Sequence, residues 1–192
     1  MRKRKRRPAE SIADRWSSIL LEVWYREGRA EYAYLYTPRR LGEARYRPSV
    51  EAEPDVVLDF NKRGELMGIE MLSPARVTVD AVNRVAREYG LRPVAPVHLR
   101  PLSAEAPLTG TYHYLEITYR EGRPWVGYLY LAPRGQKSAR CRRIEPEMVV
   151  DVSQSGALLG VELLAPNHIS LDDLNRVLED FGVHAMEKMR FE

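Results

Sequence analysis

Two pairs of carboxylates occur along the chain with the same spacing, Asp59 with Glu70 and Asp151 with Glu162. Two carboxylates on a half-buried face can act as the general acid and general base of a hydrolase, because burial raises the pKa of a carboxyl group. No nucleophile lies near either pair, and none of the four histidines has ligand spacing. We therefore favour the alternative, in which each carboxylate accepts a hydrogen bond from a turn N–H or pairs with an arginine.

The same segments have the spacing of a calcium-binding loop. Residues 151–162 follow the EF-hand pattern Asp-x-Ser-x-Ser-Gly-x5-Glu. In the corresponding segment 59–70, however, Arg63 takes the place of a ligand. Pro74 and Pro166 follow soon after each loop, where an EF-hand requires a helix. We therefore predict no metal site and no cofactor.

Basic residues are the best candidates for contacts with nucleic acid. Residues 2–7 are six consecutive lysines and arginines, and the loops near residues 39–47 and 134–143 are also basic. Cationic side chains bind phosphates, and such an arm can lie in a groove; a solubilising tail is the alternative. The candidate nucleic-acid-binding residues are Arg2, Lys3, Arg4, Lys5, Arg6, Arg7, Arg39, Arg40, Arg45, Arg47, Arg134, Lys137, Arg140, Arg142 and Arg143.

The basic arm masks the charge of the rest of the chain. The 192 residues carry a net charge of +3, from 30 basic and 27 acidic side chains. Without the six residues of the arm, 24 basic side chains remain against 27 acidic ones, a net charge of −3. The body is therefore mildly acidic, and we expect the self-repelling arm to be flexible in isolation.

Composition disfavours membrane and exported proteins. A hydrophobic content of 44% and a charged content of 30% are typical of a soluble globular protein. No apolar run approaches the roughly 20 residues that span a bilayer, and residues 8–18 are polar where a signal peptide needs an apolar core. Cys141 is the single cysteine and cannot form an internal disulfide, which fits a reducing compartment. We expect a cytoplasmic protein without a membrane contact.

The elements that carry these residues occur twice. Residues 21–29 read Leu-Glu-Val-Trp-Tyr-Arg-Glu-Gly-Arg, and residues 115–123 read Leu-Glu-Ile-Thr-Tyr-Arg-Glu-Gly-Arg. Each is an alternating strand that enters a glycine turn and begins a hairpin. A second hairpin follows in each copy, over residues 56–74 and 148–166. The intervening loop is two residues shorter in the second copy, which is typical of a surface loop.

Each copy closes with a helix. Thr78 and Ser170 are the predicted N-caps, apolar residues then recur with a helical period, and Gly90 and Gly182 end the helices. The predicted fold class is therefore α+β, with two tandem β-β-β-β-α repeats and antiparallel sheets.

The domain boundaries follow from these signals. Four prolines between the copies predict a stiff, extended connection, because proline fixes φ and lacks an N–H donor. The predicted segments are a basic arm over 1–18 with a short helix at residues 8–17, repeat 1 over 19–91, a proline-rich linker over 92–110 and repeat 2 over 111–192.

The second hairpin has one apolar and one mixed face. A turn over residues 61–64 would place Val56 opposite Ile69. The predicted core face carries Val56, Leu58, Phe60, Met67, Ile69 and Met71, with Met148, Val150, Val152, Leu159, Val161 and Leu163 in the second copy. The other face, with Asp59, Leu66 and Glu70, is half apolar. We expect the other repeat or a second chain to cover it, so that the repeats form a pseudo-twofold pair or a homo-oligomer assembles.

The second copy resembles a known family. It reads Val-Val-Asp over 149–151, turns at Gly156 and continues Ala-Leu-Leu-Gly-Val-Glu-Leu-Leu over 157–164, after strands at 115–119 and 128–130. This pattern resembles a widespread family of short, uncharacterised prokaryotic β-rich proteins, usually single-copy. The resemblance covers most of both repeats and implies a small β-rich domain that pairs with itself. The family has no established activity, so the resemblance implies no catalytic residue.

Tyrosine usage adds a further candidate. Nine of the 11 tyrosines lie in or beside the first hairpin of each copy. Aromatic rings on a sheet beside arginine-rich loops can stack on bases, although tyrosine also simply favours strands.

Three functional hypotheses follow. The leading one is a non-enzymatic intracellular module that binds a macromolecular partner, a protein before a nucleic acid, over the paired sheets. The second is a nucleic-acid-binding protein that uses the arm and the two arginine-rich loops. The third is a hydrolase built on the carboxylate pairs.

Overall fold

The computed structural model describes residues 18–37, 49–133 and 135–191. None of the helices in these ranges is long and apolar enough to cross a membrane. The described strands are β1 (Leu20–Arg26), β2 (Arg29–Tyr36), β3 (Val50–Glu53), β4 (Val56–Phe60), β5 (Leu66–Met71), β6 (Leu108–Thr109), β7 (Tyr114–Arg120), β8 (Arg123–Tyr130), β9 (Arg140–Glu145), β10 (Met148–Val152), β11 (Leu158–Leu163) and β12 (Lys188–Met189). The described helices are α1 (Val79–Glu88), α2 (Pro96–Leu99) and α3 (Leu171–Asp180).

Ten of these strands form one continuous antiparallel sheet. Their order is β3-β4-β5-β2-β1-β7-β8-β11-β10-β9, so the second five strands mirror the first five. β6 and β12 pair with each other in a separate two-stranded sheet. The predicted α+β class with antiparallel sheets is confirmed.

The two halves of the large sheet meet where β1 and β7 run antiparallel. The pairing extends from Leu20 opposite Arg120 to Tyr25 opposite Leu115. Val23 and Ile117, which are fully buried, lie opposite each other at its middle. The halves therefore join edge to edge within one sheet. The expectation that the second copy would cover the mixed face of the first was wrong.

Helices α1 and α3 cover one face of the sheet. They share a single buried core with the apolar residues of the strands, and their contributions are Val82, Val85, Leu174, Val177 and Leu178. Thr78 Oγ accepts a hydrogen bond from the N–H of Ala81, and Ser170 Oγ accepts one from the N–H of Asp173. Both predicted N-caps are therefore confirmed.

Each half has five strands before its helix, one more than we predicted. The additional strands, β3 and β9, lie at the two edges of the large sheet. Arg140, Cys141, Arg142 and Arg143 of β9 are all exposed. An edge strand whose residues are mostly exposed lacks the apolar alternation by which strands are recognised, and charged residues protect it from further pairing.

A bulge changes the predicted faces of the second hairpins. Val56 lies opposite Met71, and the register shifts between Asp59 and Phe60. Because of this shift, Leu66 joins the core cluster under the helices, and Leu158 does so in the second half. Met67 and Leu159 are buried as predicted but lie outside that cluster. The predicted pairing of Val56 with Ile69 was therefore wrong. A bulge adds one residue to one strand, and alternation alone does not locate it.

The proline-rich segment between the halves is folded rather than extended. Residues 96–99 form α2, residues 100–102 form a 3-10 turn, and residues 108–109 form β6. Each helical piece has a proline in its first turn, where the missing N–H breaks no hydrogen bond. Leu99 and Leu102 are buried in the shared core, so this segment contributes to packing.

The same segment is attached to the first hairpin of both halves. The N–H of Ala106 donates to the carbonyl oxygen of Gly28 at 2.9 Å. His98 Nδ1 accepts from the N–H of Ala95, so Nε2 carries the proton and points at Glu121 Oε2 at 3.3 Å. The segment therefore connects the two hairpin turns, which the antiparallel pairing of β1 with β7 places at opposite ends of these strands.

Two buried tyrosines lie beneath this segment. Tyr25 and Tyr119 occupy the same place in the two nine-residue motifs, and their hydroxyl oxygens are 2.7 Å apart. Tyr25 Oη is also 3.2 Å from the carbonyl oxygen of Pro101. A carbonyl can only accept, so Tyr25 donates to Pro101 and Tyr119 donates to Tyr25. Burial raises the pKa of both phenols, that of Tyr119 to about 12, so both stay protonated at neutral pH.

This direction of donation predicts unequal effects of two matched substitutions. Tyr25→Phe leaves the Pro101 carbonyl and the Tyr119 hydroxyl without their partner and should lower the free energy of unfolding by about 1–3 kcal/mol. Tyr119→Phe leaves the bond to Pro101 intact and should cost about 1 kcal/mol or less. Urea denaturation of the full chain measures both. A larger loss for Tyr119→Phe would show that the assigned direction is wrong.

Candidate binding face

The sheet face opposite the helices carries aromatic and acidic side chains in both halves, and we call it the tyrosine face. Directly opposed residues of paired strands project on the same side of a sheet, so the register assigns the members. They are Glu22, Trp24, Tyr32, Tyr34, Tyr36 and Glu70 in the first half, and Tyr114, Glu116, Tyr128, Tyr130, Asp151 and Glu162 in the second. Tyr34 is buried and the others are half-buried.

Carboxylates of the first half accept hydrogen bonds from these aromatic residues. Glu22 accepts from Tyr36 Oη and from Trp24 Nε1, both at 2.7 Å. Glu70 accepts from Tyr32 Oη at 2.7 Å. Each bond fixes a ring in one position on the face.

The second half has a related set of bonds. Tyr130 Oη donates to Glu116 at 3.1 Å, in the position that corresponds to Tyr36 and Glu22. Tyr128 Oη donates to Asp151 Oδ2 at 2.7 Å. A tyrosine therefore donates to a glutamate of the adjacent strand in both halves, from β2 to β1 in the first and from β8 to β7 in the second.

Glycine makes room for one ring in each half. A Cβ on Gly68 would lie 2.3 Å from Cε1 of Tyr34, and a Cβ on Gly160 would lie 2.3 Å from Cε1 of Tyr128. Glycine inside a strand often marks a bulge or the close approach of another backbone. In the structure, a tyrosine ring occupies the space that a side chain at either position would need.

Aromatic contacts continue across the junction of the halves. The rings of Trp24 and Tyr114 lie 6.4 Å apart across β1 and β7, and Trp24 also meets Tyr32 at 5.8 Å. Arg26 places its guanidinium 5.4 Å from the centre of the Tyr114 ring. The tyrosine face is consequently one surface, and the junction does not interrupt it.

The polar environment shifts several pKa values on this face. Burial, together with hydrogen bonds to Glu22 and Asp151 respectively, raises the pKa of Tyr36 and of Tyr128 well above the usual value. Burial alone would raise the pKa of Asp151, but hydrogen bonds from Cys141, Tyr128 and Ser138 outweigh it and hold that pKa below its usual value. At neutral pH, Tyr36 and Tyr128 are therefore protonated hydrogen-bond donors, and Asp151 is an ionised acceptor.

The carboxylate pairs have a role that the sequence did not indicate. We predicted donors from turn N–H groups or arginines, whereas Asp151 accepts from two hydroxyls and a thiol. Ser49 Oγ likewise donates to Asp59 at 2.7 Å. Asp151, whose pKa is lowered by the bonds that it accepts, is a poor general acid at neutral pH.

The calcium-like loops form hairpin turns. Gly64 N–H donates to the Asn61 carbonyl, Gly156 N–H donates to the Ser153 carbonyl, and strands flank both turns. Within residues 18–37, 49–133 and 135–191, no three His, Cys, Asp or Glu side chains form a metal-binding group.

The structure describes four of the candidate nucleic-acid-binding residues. Lys137, Arg140, Arg142 and Arg143 are exposed, the last three on the edge strand β9. The other candidates lie outside the described residues, as does the predicted helix over residues 8–17.

Sequence reasoning did not single out Glu22, Glu116 or Trp24 as site residues. Their signal was present in the alternation, since Glu22 and Trp24 share a side of the strand opposite the buried Leu21 and Val23. The alternation does not show which strand lies beside β1, and it is the neighbouring strand β2 that brings Tyr36 to Glu22.

Comparison with known proteins adds one finding. A family model described as a protein of unknown function (DUF2283) matches residues 29–73, the part of the chain that contains β2 to β5. No curated protein and no solved structure matches the chain. The match supports the expected relation to a short uncharacterised family over this part of the sequence.

The glycine contacts predict a specific double-mutant result. Gly68→Ala should lower the free energy of unfolding by about 1–3 kcal/mol, because the new methyl group overlaps the buried ring of Tyr34. In a Tyr34→Ala background, Gly68→Ala should cost much less. Gly160→Ala in a Tyr128→Ala background should be relieved only in part, because its Cβ would also lie 2.7 Å from the Leu129 carbonyl oxygen. Additive effects at Gly68 and Tyr34 would contradict this packing.

The lowered pKa of Asp151 predicts a pH dependence of stability. The carboxylate stabilises the folded state above its unfolded pKa of about 3.9, and this contribution is lost as the pH falls through the lower folded pKa. Asp151→Asn should cost about 1 kcal/mol at pH 7, a modest loss because the group is partly exposed. The difference between wild type and variant in urea denaturation should shrink below about pH 4. An unchanged difference down to pH 2 would exclude this account.

Proposed function

We propose that the chain is a non-enzymatic binding module that holds a protein partner on its tyrosine face. The observation that carries the proposal is the contrast between the two faces of the sheet. Helices and a shared core cover one face, while the other presents half-buried aromatic rings that continue across the junction of the halves. Tyrosine and tryptophan are enriched at protein interfaces and contribute most of the binding energy there. Rings already fixed by hydrogen bonds lose little entropy on binding.

The charge of this face favours a partner with basic side chains. Its carboxylates are Glu22, Glu70, Glu116, Asp151 and Glu162. Arginine and lysine of a partner would find acceptors and aromatic rings together, which suits ion pairing and cation–π contact. A phosphate backbone would be repelled by the same carboxylates.

We further propose that the chain is a tandem duplication of a unit that pairs with itself through β1. Three observations support this: the two nearly identical nine-residue motifs, the mirrored strand order, and the equivalent Tyr36–Glu22 and Tyr130–Glu116 bonds. The pseudo-twofold axis would pass between Val23 and Ile117. A cytoplasmic location and a homo-oligomer stay predictions from the sequence.

Matched substitutions test the binding proposal. Trp24→Ala and Glu162→Lys alter the tyrosine face, whereas Glu88→Lys makes the same charge change on α1, on the covered side. Partners captured from the native cell should be lost with the first two variants and kept with the third. With the purified partner, calorimetry should give about 2 kcal/mol weaker binding for Trp24→Ala, as expected for an interface tryptophan. Thermal unfolding of each variant checks that the fold is intact.

A partner that binds all three variants with the wild-type affinity would contradict the proposal. Loss with Glu88→Lys alone would place the interface on the helical side instead. Binding to a nucleic acid rather than a protein would favour the second candidate.

The second candidate, binding of nucleic acid, has one supporting observation. Lys137, Arg140, Arg142 and Arg143 are exposed together at one edge of the sheet, and the six-residue basic arm adds further charge. A gel shift at increasing salt, with and without residues 1–7 and with Arg140, Arg142 and Arg143 changed to Gln, tests it. Each lost phosphate contact should reduce the salt slope by about one. Absence of binding at low salt excludes this candidate.

A further inference from the structure

A cleft of about 380 Å³ lies on the side of the sheet opposite the tyrosine face. It is bounded by the proline-rich segment, the β7–β8 hairpin and the C-terminal residues that include β12. Its size falls in the range of pockets that bind small organic molecules. Neither proposed function uses this cleft.

The floor of the cleft is apolar and rigid. Pro101, Ala106 and Tyr119 are buried and line it, and Phe191 forms part of its wall. Tyr119 is fixed by its hydrogen bond to Tyr25, and the Pro101 carbonyl accepts from Tyr25 as well. The floor is therefore anchored in the core, and a ligand would not have to order it.

The rim of the cleft is basic. Arg100, Arg123, Lys188 and Arg190 come from three separate parts of the chain and all line it. Glu105 is the single acidic residue among the lining residues, and its carboxylate is 3.6 Å from Lys188 Nζ. The lining side chains thus carry a net positive charge that a bound anion would neutralise.

Two of these cations have no acidic neighbour among the residues that the structure describes. No described carboxylate lies within 4 Å of the guanidinium group of Arg123 or of Arg190. Arginine presents paired N–H donors that match a phosphate or a carboxylate. Small-molecule sites commonly combine an apolar floor with a few polar or charged groups that orient the ligand, and this cleft has both.

We infer that this cleft binds a small organic phosphate with an aromatic ring, of the size of a nucleoside monophosphate. A net lining charge of several positive units fits a phosphate monoester of nearly two negative charges better than a monocarboxylate. The phosphate would lie between Arg123 and Arg190, and the ring would pack on Phe191 and the apolar floor. This site is separate from the tyrosine face, so the inference does not depend on the protein partner proposed for that face.

Calorimetry on the full chain with three probes tests the inference. AMP should bind saturably and at least about tenfold more tightly than either adenosine, which lacks the charge, or inorganic phosphate, which lacks the ring. The double variant Arg123→Gln/Arg190→Gln should weaken AMP binding about tenfold or more, since each charge-assisted bond contributes on this scale. Arg87→Gln, on the exposed side of α1, should have no effect.

A second variant separates the two parts of the site. Phe191→Ala should weaken binding of AMP and leave binding of inorganic phosphate unchanged, and thermal unfolding reports whether each variant is folded. AMP binding that survives the double arginine variant unchanged would place the anion elsewhere, for example on residues 2–7, and would overturn the inference. Absence of AMP binding at millimolar concentration and low salt would overturn it as well.

Discussion

The antiparallel pairing of β1 with β7 is the interaction on which the rest of the structure depends. Without it, each half would be a five-stranded sheet with two open edges, and an open edge invites association with other chains. The pairing makes β1 and β7 interior strands and leaves β3 and β9 at the edges. Val23 and Ile117 are fully buried at its middle, so the main-chain bonds and the apolar core support the same junction.

Two surfaces result from that pairing. On one side the cores of the two halves merge into a single cluster under α1, α3 and the proline-rich segment. On the other side the tyrosine faces merge, and Trp24 of one half meets Tyr114 of the other. The proposed protein interface and the proposed anion cleft both extend over residues that the pairing brings together. The cleft does so through Tyr119, whose hydroxyl is bonded to Tyr25 of the other half.

The sequence predicted those elements that a local pattern of residues is enough to determine. Alternation and the Glu-Gly turns located the first hairpins, and hydroxyl caps followed by apolar stripes located α1 and α3. β9 could not be predicted, because Arg140, Arg142 and Arg143 have no buried face to create an alternation. The joining of the halves edge to edge could not be predicted either. The bulge after Asp59 places Leu66 in the core, and counting Leu66 on the other face made that face appear to need a cover.

The candidate site was visible in the sequence as residue types but not as contacts. Tyrosines and carboxylates alternate on the strands, which shows that they share a face. Only the strand order, however, shows that Tyr36 reaches Glu22 and that Tyr128 reaches Asp151. The carboxylate pairs looked like acid–base or calcium chemistry because their spacing along the chain resembles such motifs. In the sheet, one member of each pair, Glu70 or Asp151, instead accepts a hydrogen bond from a tyrosine.

Native-state hydrogen exchange of the amides in β1 and β7 tests the central claim most directly. If the two halves form one sheet, the amides of Leu20–Tyr25 and Leu115–Arg120 that face the opposite half should exchange as slowly as those that face β2 and β8, at the free energy of global unfolding. If the amides that face the other half exchange much faster than those that face β2 and β8, the halves separate readily, and the account of a continuous sheet is wrong.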